Sequence, residues 1–391
     1  MKDRFVSSAA AAARLGVKRA TLYAYVSRGL LTARQLRGRQ GSWFDPVELD
    51  TLTRKAKHPA ERRPELRIAS AVTLIDGGRF WYRGLVPDQL AATASYEQVA
   101  ELLWTGDLPD AAPRWPVDRA AVARARRALD TLPPSASIQD RLRVVVAVLG
   151  AHDALRFDLR PAGALATARR LVGSTVAAVT GRATGGVAAR VAALVAPKRP
   201  SPGTIRAVEA ALVLLADHEL AASTLAARVA ASFRADPYAA VSSGLGAVAG
   251  TWHGAASRRV ETALSGNGRA RDPERVLGEL LHDGRVVPGF GHPLYPDGDP
   301  RVTTVLRLAR SARPMPEVDA VLGLAANRGL PHPNVDFALA ALSRALRLRS
   351  GASEALFAMA RLAGWLAHAM EEYAEPTPIR QRAVYTGPQP E

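Results

Sequence analysis

Three short clusters in the second half of the chain carry side chains that can move protons. They are Trp252-His253-Gly254, Gly289-Phe290-Gly291-His292 and Asn334-Val335-Asp336. Imidazole and carboxylate groups are the usual general acids and bases of active sites. Each cluster also has a simpler interpretation: a structural histidine beside glycine, a glycine-rich loop that admits a ligand to backbone amides, or an aspartate that caps a helix. Taken singly, none identifies a reaction.

The segments that must position these clusters are mostly helical in pattern. From Arg67 onward the chain is rich in Ala, Leu and Val at helical spacing, as in residues 120–132 and 205–233. Alternating strand patterns are hard to find, except near residues 79–83. The sequence therefore predicts a mainly α body.

The first 58 residues have a different pattern, that of a small basic domain, and the Pro-containing charged stretch at 59–66 predicts a linker. Serine and aspartate before helical runs, proline in a first turn and glycine after a last turn mark the helix ends. The predicted elements are a helix capped by Ser7 or Ser8 and ending at Gly16, a helix over 19–28, a basic hairpin or loop over 34–42, and a helix opened by Asp45-Pro46.

Composition excludes several classes of site. The chain has no cysteine, so disulfides, thiolate zinc sites and cysteine nucleophiles are ruled out. No His/Asp/Glu group has convincing metal-ligand spacing, and we predict no metal. Residues 1–65 hold 14 Lys and Arg against 6 Asp and Glu, which is +8 of the total net charge of +16. No signal peptide or membrane-spanning stretch is evident, so we expect a soluble cytoplasmic protein without a membrane partner.

The segment from Ala11 to Tyr23, with Leu15-Gly16-Val17 and Thr21-Leu22-Tyr23, resembles the helix-turn-helix of MerR- and excisionase-type regulators. The resemblance covers roughly residues 5–55. It implies a helix-turn-helix domain over 1–58, a second helix that enters the major groove, and a nucleic-acid partner. The DNA-binding candidates it implies are Lys18, Arg19 and Thr21. The alternative is a folded appendage that serves assembly without binding DNA.

The rest of the chain, from about residue 67, resembles the citrate synthase family. The resemblance depends on the order and spacing of the three proton-moving clusters and of further motifs. Those motifs are Asp76-Gly77, Tyr82-Arg83-Gly84, Asp217-His218-Glu219, Asp299-Pro300-Arg301, Arg361, Gly364-Trp365 and the segment 379–387. It implies a two-domain helical fold, with a large domain over 67–255 and 342–391 and a small domain over 256–341.

The resemblance also implies a reaction, in which the methyl group of an acyl-CoA is joined to a 2-oxo acid and the thioester is then hydrolysed. A weakly acidic methyl proton needs a carboxylate base and a donor to the developing enolate. Asp336 matches the base, His253 the donor at the thioester oxygen, and His292 the group that polarises the ketone. These three are the predicted catalytic residues.

The implied substrate-binding residues are one histidine and three arginines, because arginine supplies bidentate partners for carboxylates. They are His218, Arg301, Arg361 and Arg380. In the family the last arginine comes from the other subunit, so we expect a homodimer or higher oligomer. The CoA-contacting residues are expected to be Val287, Pro288, Gly289, Phe290 and Gly291. Acetyl-CoA would be a co-substrate, and no permanently bound cofactor is expected.

The match departs from common bacterial relatives at several positions, among them Ala338-Leu339, where relatives often have a pair of small residues. Ala221 stands where many have Asn near the oxo-acid site, and Pro293 and Pro296 stand where many have cations near CoA. These changes leave three functions open. The leading one is citrate synthase, using acetyl-CoA, oxaloacetate and water. The others are 2-methylcitrate synthase, using propionyl-CoA, and a DNA-binding regulator whose large domain senses an acyl-CoA or a dicarboxylate.

Overall fold

The structure is a computed structural model that describes residues 5–27, 31–35, 41–46, 48–49, 67–250, 255–265, 272–282, 287–383 and 387. The chain divides into two compact units, Met1–Ala69 and Ser70–Glu391. Each unit has a hydrophobic core of its own.

The N-terminal unit combines two helices with a small sheet. Its elements are β1 (Val6–Ser7), α1 (Ser8–Leu15), α2 (Arg19–Ser27), β2 (Arg34–Gln35) and β3 (Ser42–Phe44). The strands are antiparallel in the order β1-β3-β2. Strands β2 and β3 form the hairpin predicted for the basic segment, and the sequence pattern did not predict β1. The predicted third helix lies largely outside the described residues, although Leu49 N–H donates to the Asp45 carbonyl at 3.1 Å.

Local chemistry sets the ends of α1. Ser7 is the N-cap, and its hydroxyl accepts the Ala10 N–H at 3.4 Å. Gly16 ends the helix in the left-handed conformation, with φ 66°, where a residue without a Cβ is favoured. Ala11, Leu22 and Phe44 are fully buried between the helices and the sheet. The predicted boundaries of this helix are therefore confirmed.

The second unit is helical apart from one hairpin, as the sequence predicted. The hairpin pairs β4 (Thr73–Asp76) with β5 (Arg79–Tyr82) through a Gly77-Gly78 turn in which both φ angles are positive. The described helices are α3 (Pro87–Thr93), α4 (Tyr96–Thr105), α5 (Arg119–Leu129), α6 (Ile138–Ala151), α7 (Pro161–Thr180), α8 (Val187–Val195), α9 (Pro202–Leu215), α10 (Ala222–Ser232), α11 (Pro237–Val248), α12 (Ala255–Leu264), α13 (Pro273–Leu281), α14 (Pro300–Ala312), α15 (Pro316–Asn327), α16 (Val335–Ala345) and α17 (Ala352–Ala374).

Helix α17 runs through the core of this unit and is buried along nearly its whole length. It packs against α4, α9, α10 and α11. Trp365 on α17 is fully buried, and a Cβ on Gly244 would lie 2.6 Å from its ring, so α11 needs glycine there for this close approach. Among the described helices, none is long and apolar enough to span a bilayer.

The helical pattern over residues 205–233 is interrupted, and the interruption matters for the site. Helix α9 ends at Leu215 and α10 begins at Ala222. Between them Asp217 is fully buried and accepts the Thr73 hydroxyl at 2.6 Å, while Glu219 has a φ of 49°. The break takes His218 out of the helical register, and its ring lies 5.1 Å from that of His292.

Candidate active site

His292 lies in a tight turn that fixes its protonation. The Tyr295 N–H donates to the His292 carbonyl at 3.1 Å, with Pro293 in the second position, where its fixed φ suits a turn. The Leu294 N–H donates to Nδ1 of His292 at 3.2 Å, so Nδ1 is an acceptor and the proton lies on Nε2. Burial and the charge of Arg301 lower the pKa of His292 to about 4. At neutral pH His292 is thus a neutral donor through Nε2.

His218 packs beside it in an aromatic cluster. The ring centroids of His218 and His292 are 5.1 Å apart and nearly perpendicular. The Tyr295 hydroxyl lies 3.0 Å from Nε2 of His218, and its ring is 4.8 Å from that of His292. Burial raises the pKa of Tyr295 well above its ordinary value, so the hydroxyl keeps its proton. Tyr295 was not predicted from sequence, although it orients both histidines.

Two arginines supply buried positive charge next to this cluster. Arg301 is 2% exposed and its guanidinium forms a bidentate pair with Asp299, at 2.9 and 2.7 Å. Arg361 is 1% exposed and stacks over Phe357, and its Nε and Nη1 have no hydrogen-bond partner among the described residues. Asp217 acts on Arg361 through its charge, but two buried guanidinium nitrogens without hydrogen-bond partners are costly, so Arg361 fits a bound anion.

Asp336 lies at the start of α16. Its N–H donates to Oδ1 of Asn334, the N-cap, at 3.0 Å. The side chain is half-buried, but Oδ1 is shielded from solvent and lacks a hydrogen-bond partner within the described part of the chain. Burial raises the pKa of the Asp336 carboxyl to about 7, with Arg301 opposing and Asp299 adding to the rise. Such a group can accept a proton at neutral pH.

The segment 287–291 packs onto the N-terminus of α16. Gly289 has a φ of 83°, and a Cβ there would lie 2.8 Å from Val260 and 3.1 Å from Phe337. The Gly289 carbonyl accepts the Asn334 N–H, and the Gly291 carbonyl accepts its side-chain amide. The absence of a Cβ at Gly289 leaves room for Val260 and Phe337. The predicted contact of Val287, Pro288, Gly289, Phe290 and Gly291 with CoA stays a prediction.

A network of buried charged residues connects Asp217, the neighbour of His218, to helix α17. Nε2 of His368 donates to Oδ2 of Asp217 at 3.2 Å, and Nδ1 of His368 accepts from Nη1 of Arg228 at 2.9 Å. Burial disfavours ionisation of Asp217, yet the charge and hydrogen bond of His368 lower the pKa of its carboxyl. Arg228 also pairs with Glu371 and Glu372 on α17. His368 is fully buried and is a core residue of this network.

The remaining predicted residues lie elsewhere. His253 is outside the described residues. Arg380 is exposed, in a C-terminal segment that is attached where the Ile379 N–H donates to the Ser232 hydroxyl at 3.1 Å. Lys18 and Arg19 are exposed at the start of α2, and Thr21 is half-buried. No cluster of potential metal ligands occurs among the residues that the structure describes.

The assembled groups define a chemistry. Arg301 and Arg361 can bind carboxylates, neutral His292 can donate to a carbonyl oxygen, and Asp336 can take up a proton. The positive charge of Arg301 acts to lower the pKa values of Arg361, His292 and Asp336. Contacts and charge couplings therefore group the binding partners for a small dianion with a base.

Comparisons with known proteins agree with this description. The family model "Citrate synthase, C-terminal domain" matches residues 66–382. The citrate synthase of Mycolicibacterium smegmatis is 32% identical over 343 residues, covering 78% of this chain and 88% of that one. The 2-methylcitrate synthase of Mycobacterium tuberculosis is 30% identical over 336 residues, covering 78% and 84%.

A solved structure extends the match to three dimensions. The crystal structure of citrate synthase from Thermotoga maritima superposes with a TM-score of 0.68 at 26% identity and covers 84% of this chain and 95% of that one. The family model alone spans well over half of the chain. The chain therefore belongs to the citrate synthase family and is an acyltransferase of that family.

Proposed function

We propose that the protein condenses acetyl-CoA with oxaloacetate and water to give citrate and CoA. The observation that carries the proposal is the electrostatic coupling of Arg301 to a neutral His292, to Arg361 and to Asp336, with His218 packed against His292. Condensation of an acyl-CoA with oxaloacetate is the chemistry of the family. The choice of acetyl-CoA is the finer step, since citrate and 2-methylcitrate synthases resemble the chain about equally.

In the proposed reaction Asp336 removes a proton from the carbon next to the thioester carbonyl. His253, which lies outside the described residues, keeps its predicted role as donor to the enolate oxygen. His292 donates its Nε2 proton in a hydrogen bond to the ketone, which makes the carbonyl carbon more electrophilic. Arg301 and Arg361 bind the carboxylates, and His218, held by Tyr295, completes the pocket. The enolate carbon then attacks the ketone carbon, and the ketone oxygen takes up a proton as the carbon–carbon bond forms. Water finally hydrolyses the thioester and releases CoA.

The two-domain organisation is part of the proposal. Residues 67–255 and 342–391 would form the large domain, and residues 256–341 the small one. His218 and Arg361 would belong to the first, and His292 and Asp336 to the second. Domain closure would then bring base and binding groups onto the substrates and exclude water.

The test is release of free thiol, followed with a chromogenic disulfide reagent. The purified protein is mixed with oxaloacetate and either acetyl-CoA or propionyl-CoA, and the product is identified by mass spectrometry. Citrate formation with the higher kcat/KM for acetyl-CoA is expected. A higher kcat/KM for propionyl-CoA would identify a 2-methylcitrate synthase instead. Thiol release from neither acyl-CoA would overturn the enzymatic proposal.

Three replaced positions bear on substrate choice. Ala221 is the N-cap of α10 and provides no side-chain cap, and Pro293 and Pro296 are exposed around the His292 turn. Ala221→Asn should restore a side chain that can cap α10 and reach the oxo-acid site. We expect the variant to change KM for oxaloacetate more than KM for the acyl-CoA. Equal KM values for oxaloacetate in variant and wild type would show that residue 221 does not affect substrate binding.

A homodimer is also part of the proposal, and an exposed apolar patch supports it. Leu155, Phe157 and Phe233 are 67%, 64% and 60% exposed. An ion pair of 3.6 Å between Arg156 and Asp236 joins the two loops that carry them. The C-terminal segment that holds Arg380 is attached beside this patch, at Ser232. A second copy seated here would cover the patch and bring its own C-terminal segment toward the first copy's site.

The oligomeric state of matched variants tests this arrangement. Phe233→Asp places a charge in the patch, whereas Leu74→Asp places one on β4, where Leu74 is 59% exposed. Light scattering should show dimers for wild type and Leu74→Asp, and a shift to monomer with loss of turnover for Phe233→Asp. A wild-type monomer that turns over substrate would contradict the dimeric site.

A regulator is the second candidate function, and the exposed cations of the N-terminal unit favour it. Lys18 and Arg19 stand at the start of α2, in the position that the helix-turn-helix resemblance assigns to the groove. We expect only weak duplex DNA binding that is lost between about 50 and 200 mM salt. A Lys18→Ala/Arg19→Ala double variant is compared with Lys198→Ala/Arg199→Ala, an exposed pair elsewhere. Tight, sequence-selective binding that only the first pair abolishes would favour the regulator.

A further inference from the structure

The carboxylate of Asp299 holds two parts of the site at once. Its side chain is fully buried and N-caps α14. Oδ1 accepts the backbone N–H and Nε of Arg301 at 3.1 and 2.9 Å, and Oδ2 accepts Nη2 of Arg301 at 2.7 Å and the Val335 N–H at 3.0 Å. Val335 is the first residue of α16, and Asp336 is the second. One carboxylate therefore positions both a carboxylate-binding cation and the helix that carries Asp336.

The pair with Asp299 also orients the Arg301 guanidinium. Asp299 occupies the edge formed by Nε and Nη2. The other edge, formed by Nη1 and the second Nη2 hydrogen, stays available, and no described residue accepts a hydrogen bond from Nη1. Bidentate recognition of a carboxylate uses one whole edge of the fork. Asp299 thus fixes which edge a substrate carboxylate can use.

The same carboxylate acts electrostatically on Asp336. Of the titratable groups that the structure describes, Arg301 and Asp299 are those whose charges act on the Asp336 carboxyl, with opposite signs. The charge of Asp299 raises the pKa of Asp336 and so opposes the larger lowering effect of Arg301. Without it, the guanidinium would stabilise the Asp336 carboxylate unopposed, and the group would become a weaker base.

We propose that Asp299 is a positioning residue that couples oxo-acid binding at Arg301 to the basicity of Asp336. This inference rests on the proposed function, because it takes Arg301 as the carboxylate ligand and Asp336 as the base. Asp299 itself touches neither substrate. Its effect is to let one buried cation serve the oxo acid without weakening the base beside it.

Asp299→Asn keeps the size of the side chain and removes its charge. We expect KM for oxaloacetate to rise about tenfold or more, because Arg301 loses its fixed plane. We also expect the acid limb of the kcat–pH profile to move down by about one pH unit, because the pKa of Asp336 falls. The control is Asp319→Asn, which removes the partner of Arg310 in an exposed ion pair. Arg310 lies on α14, as Arg301 does. Neither KM nor the acid limb should change in the control.

Asp299→Glu separates charge from geometry. It retains the negative charge beside Asp336, so its acid limb should match that of wild type. Its longer arm cannot hold Arg301 and Val335 together, so KM for oxaloacetate should still rise. This variant also carries the test if Asp299→Asn does not fold, as judged by circular dichroism. An Asp299→Glu enzyme with wild-type KM would overturn the proposal.

The outcomes separate this inference from the function on which it rests. If the wild type releases no thiol from either acyl-CoA, the proposed function fails. If the wild type is active and Asp299→Asn has unchanged KM and an unchanged acid limb, the coupling by Asp299 fails alone. A folded Asp299→Asn with uniformly lower kcat at every pH would show a purely structural role and would also overturn it.

Discussion

Lowering the pH from about 8 to about 5 should remove nearly all condensation activity through one group, Asp336. Burial raises the pKa of its carboxyl to about 7, and only the carboxylate form accepts a proton. The profile of kcat/KM for the oxo acid should therefore rise with pH through about 7 and level off above it. At pH 5, two units below the midpoint, about 1% of the plateau should remain. His292, with a pKa lowered to about 4, stays neutral across this range and adds no limb.

The assay follows thiol release with oxaloacetate varied and acyl-CoA saturating, in overlapping buffers from about pH 5 to 9. Circular dichroism at each pH shows whether the fold persists, so that unfolding is not mistaken for protonation. One proton should describe the acid limb. A midpoint near the ordinary value for aspartate would refute the reasoning from burial. A slope of two protons would show that a second group, such as His218, must also ionise.

Three further outcomes follow from the same contacts. Asp336→Ala should lower kcat by about 10² or more, as for loss of a positioned base, with oxo-acid binding retained in calorimetry; near-normal turnover would rule out the assignment. Asp336→Asn should raise Tm at pH 8 and leave Tm unchanged at a pH below the ordinary pKa of aspartate. The reason is that a group whose pKa is raised in the folded state loses stabilising effect as pH rises toward 7. A lower Tm for the variant at pH 8 would contradict this. Gly364→Ala should destabilise the fold by about 1–3 kcal/mol, because its Cβ would meet the Asp217 carboxyl. The control Gly323→Ala has open space around it and should be neutral or stabilising by up to about 1 kcal/mol. Equal melting temperatures of the two variants would refute the contact.

The deletion of the N-terminal unit tests how far the second unit works alone. A chain starting at Arg67 should retain the core of the second unit, since the two units have separate cores. We expect it to fold and to keep most of its turnover with acetyl-CoA and oxaloacetate. A truncated chain that folds but has lost all turnover would show that the first unit helps to build the active dimer.

Local signals predicted local structure well. Ser7 and Gly16 bound α1 as expected, because capping and left-handed termination depend on the residues at the helix ends themselves. The hairpin near residues 79–83 also forms where its short alternating pattern lies. The strand Val6–Ser7 was missed, because two residues carry no periodicity and its partner lies at Trp43 and Phe44.

Long-range contacts explain what sequence reasoning could not supply. The helical pattern over 205–233 gives no sign that the chain breaks at Asp217, since the break is held by Thr73 and His368 from distant parts of the chain. Asp299 was within a motif that pointed to the family, whereas Tyr295 was in none. Their partners, Val335 and His218, are far away in sequence. The sequence did contain an indication of the role of Asp299, because it stands two residues before Arg301. That spacing allows one carboxylate both to cap the helix and to pair with the arginine side chain.

Burial shifts the pKa values of two site residues in opposite directions, and both shifts suit acid–base chemistry. Desolvation penalises the charged form of any group, so it raises the pKa of Asp336 and lowers that of His292. At neutral pH the first becomes an effective base and the second a neutral donor, which are the two states that condensation requires. A buried cation is needed to bind the oxo acid, and its field favours the neutral state of His292 but opposes the basicity of Asp336. Asp299 resolves that conflict by compensating Arg301 on the side of α16, while the other edge of the guanidinium stays available to the substrate.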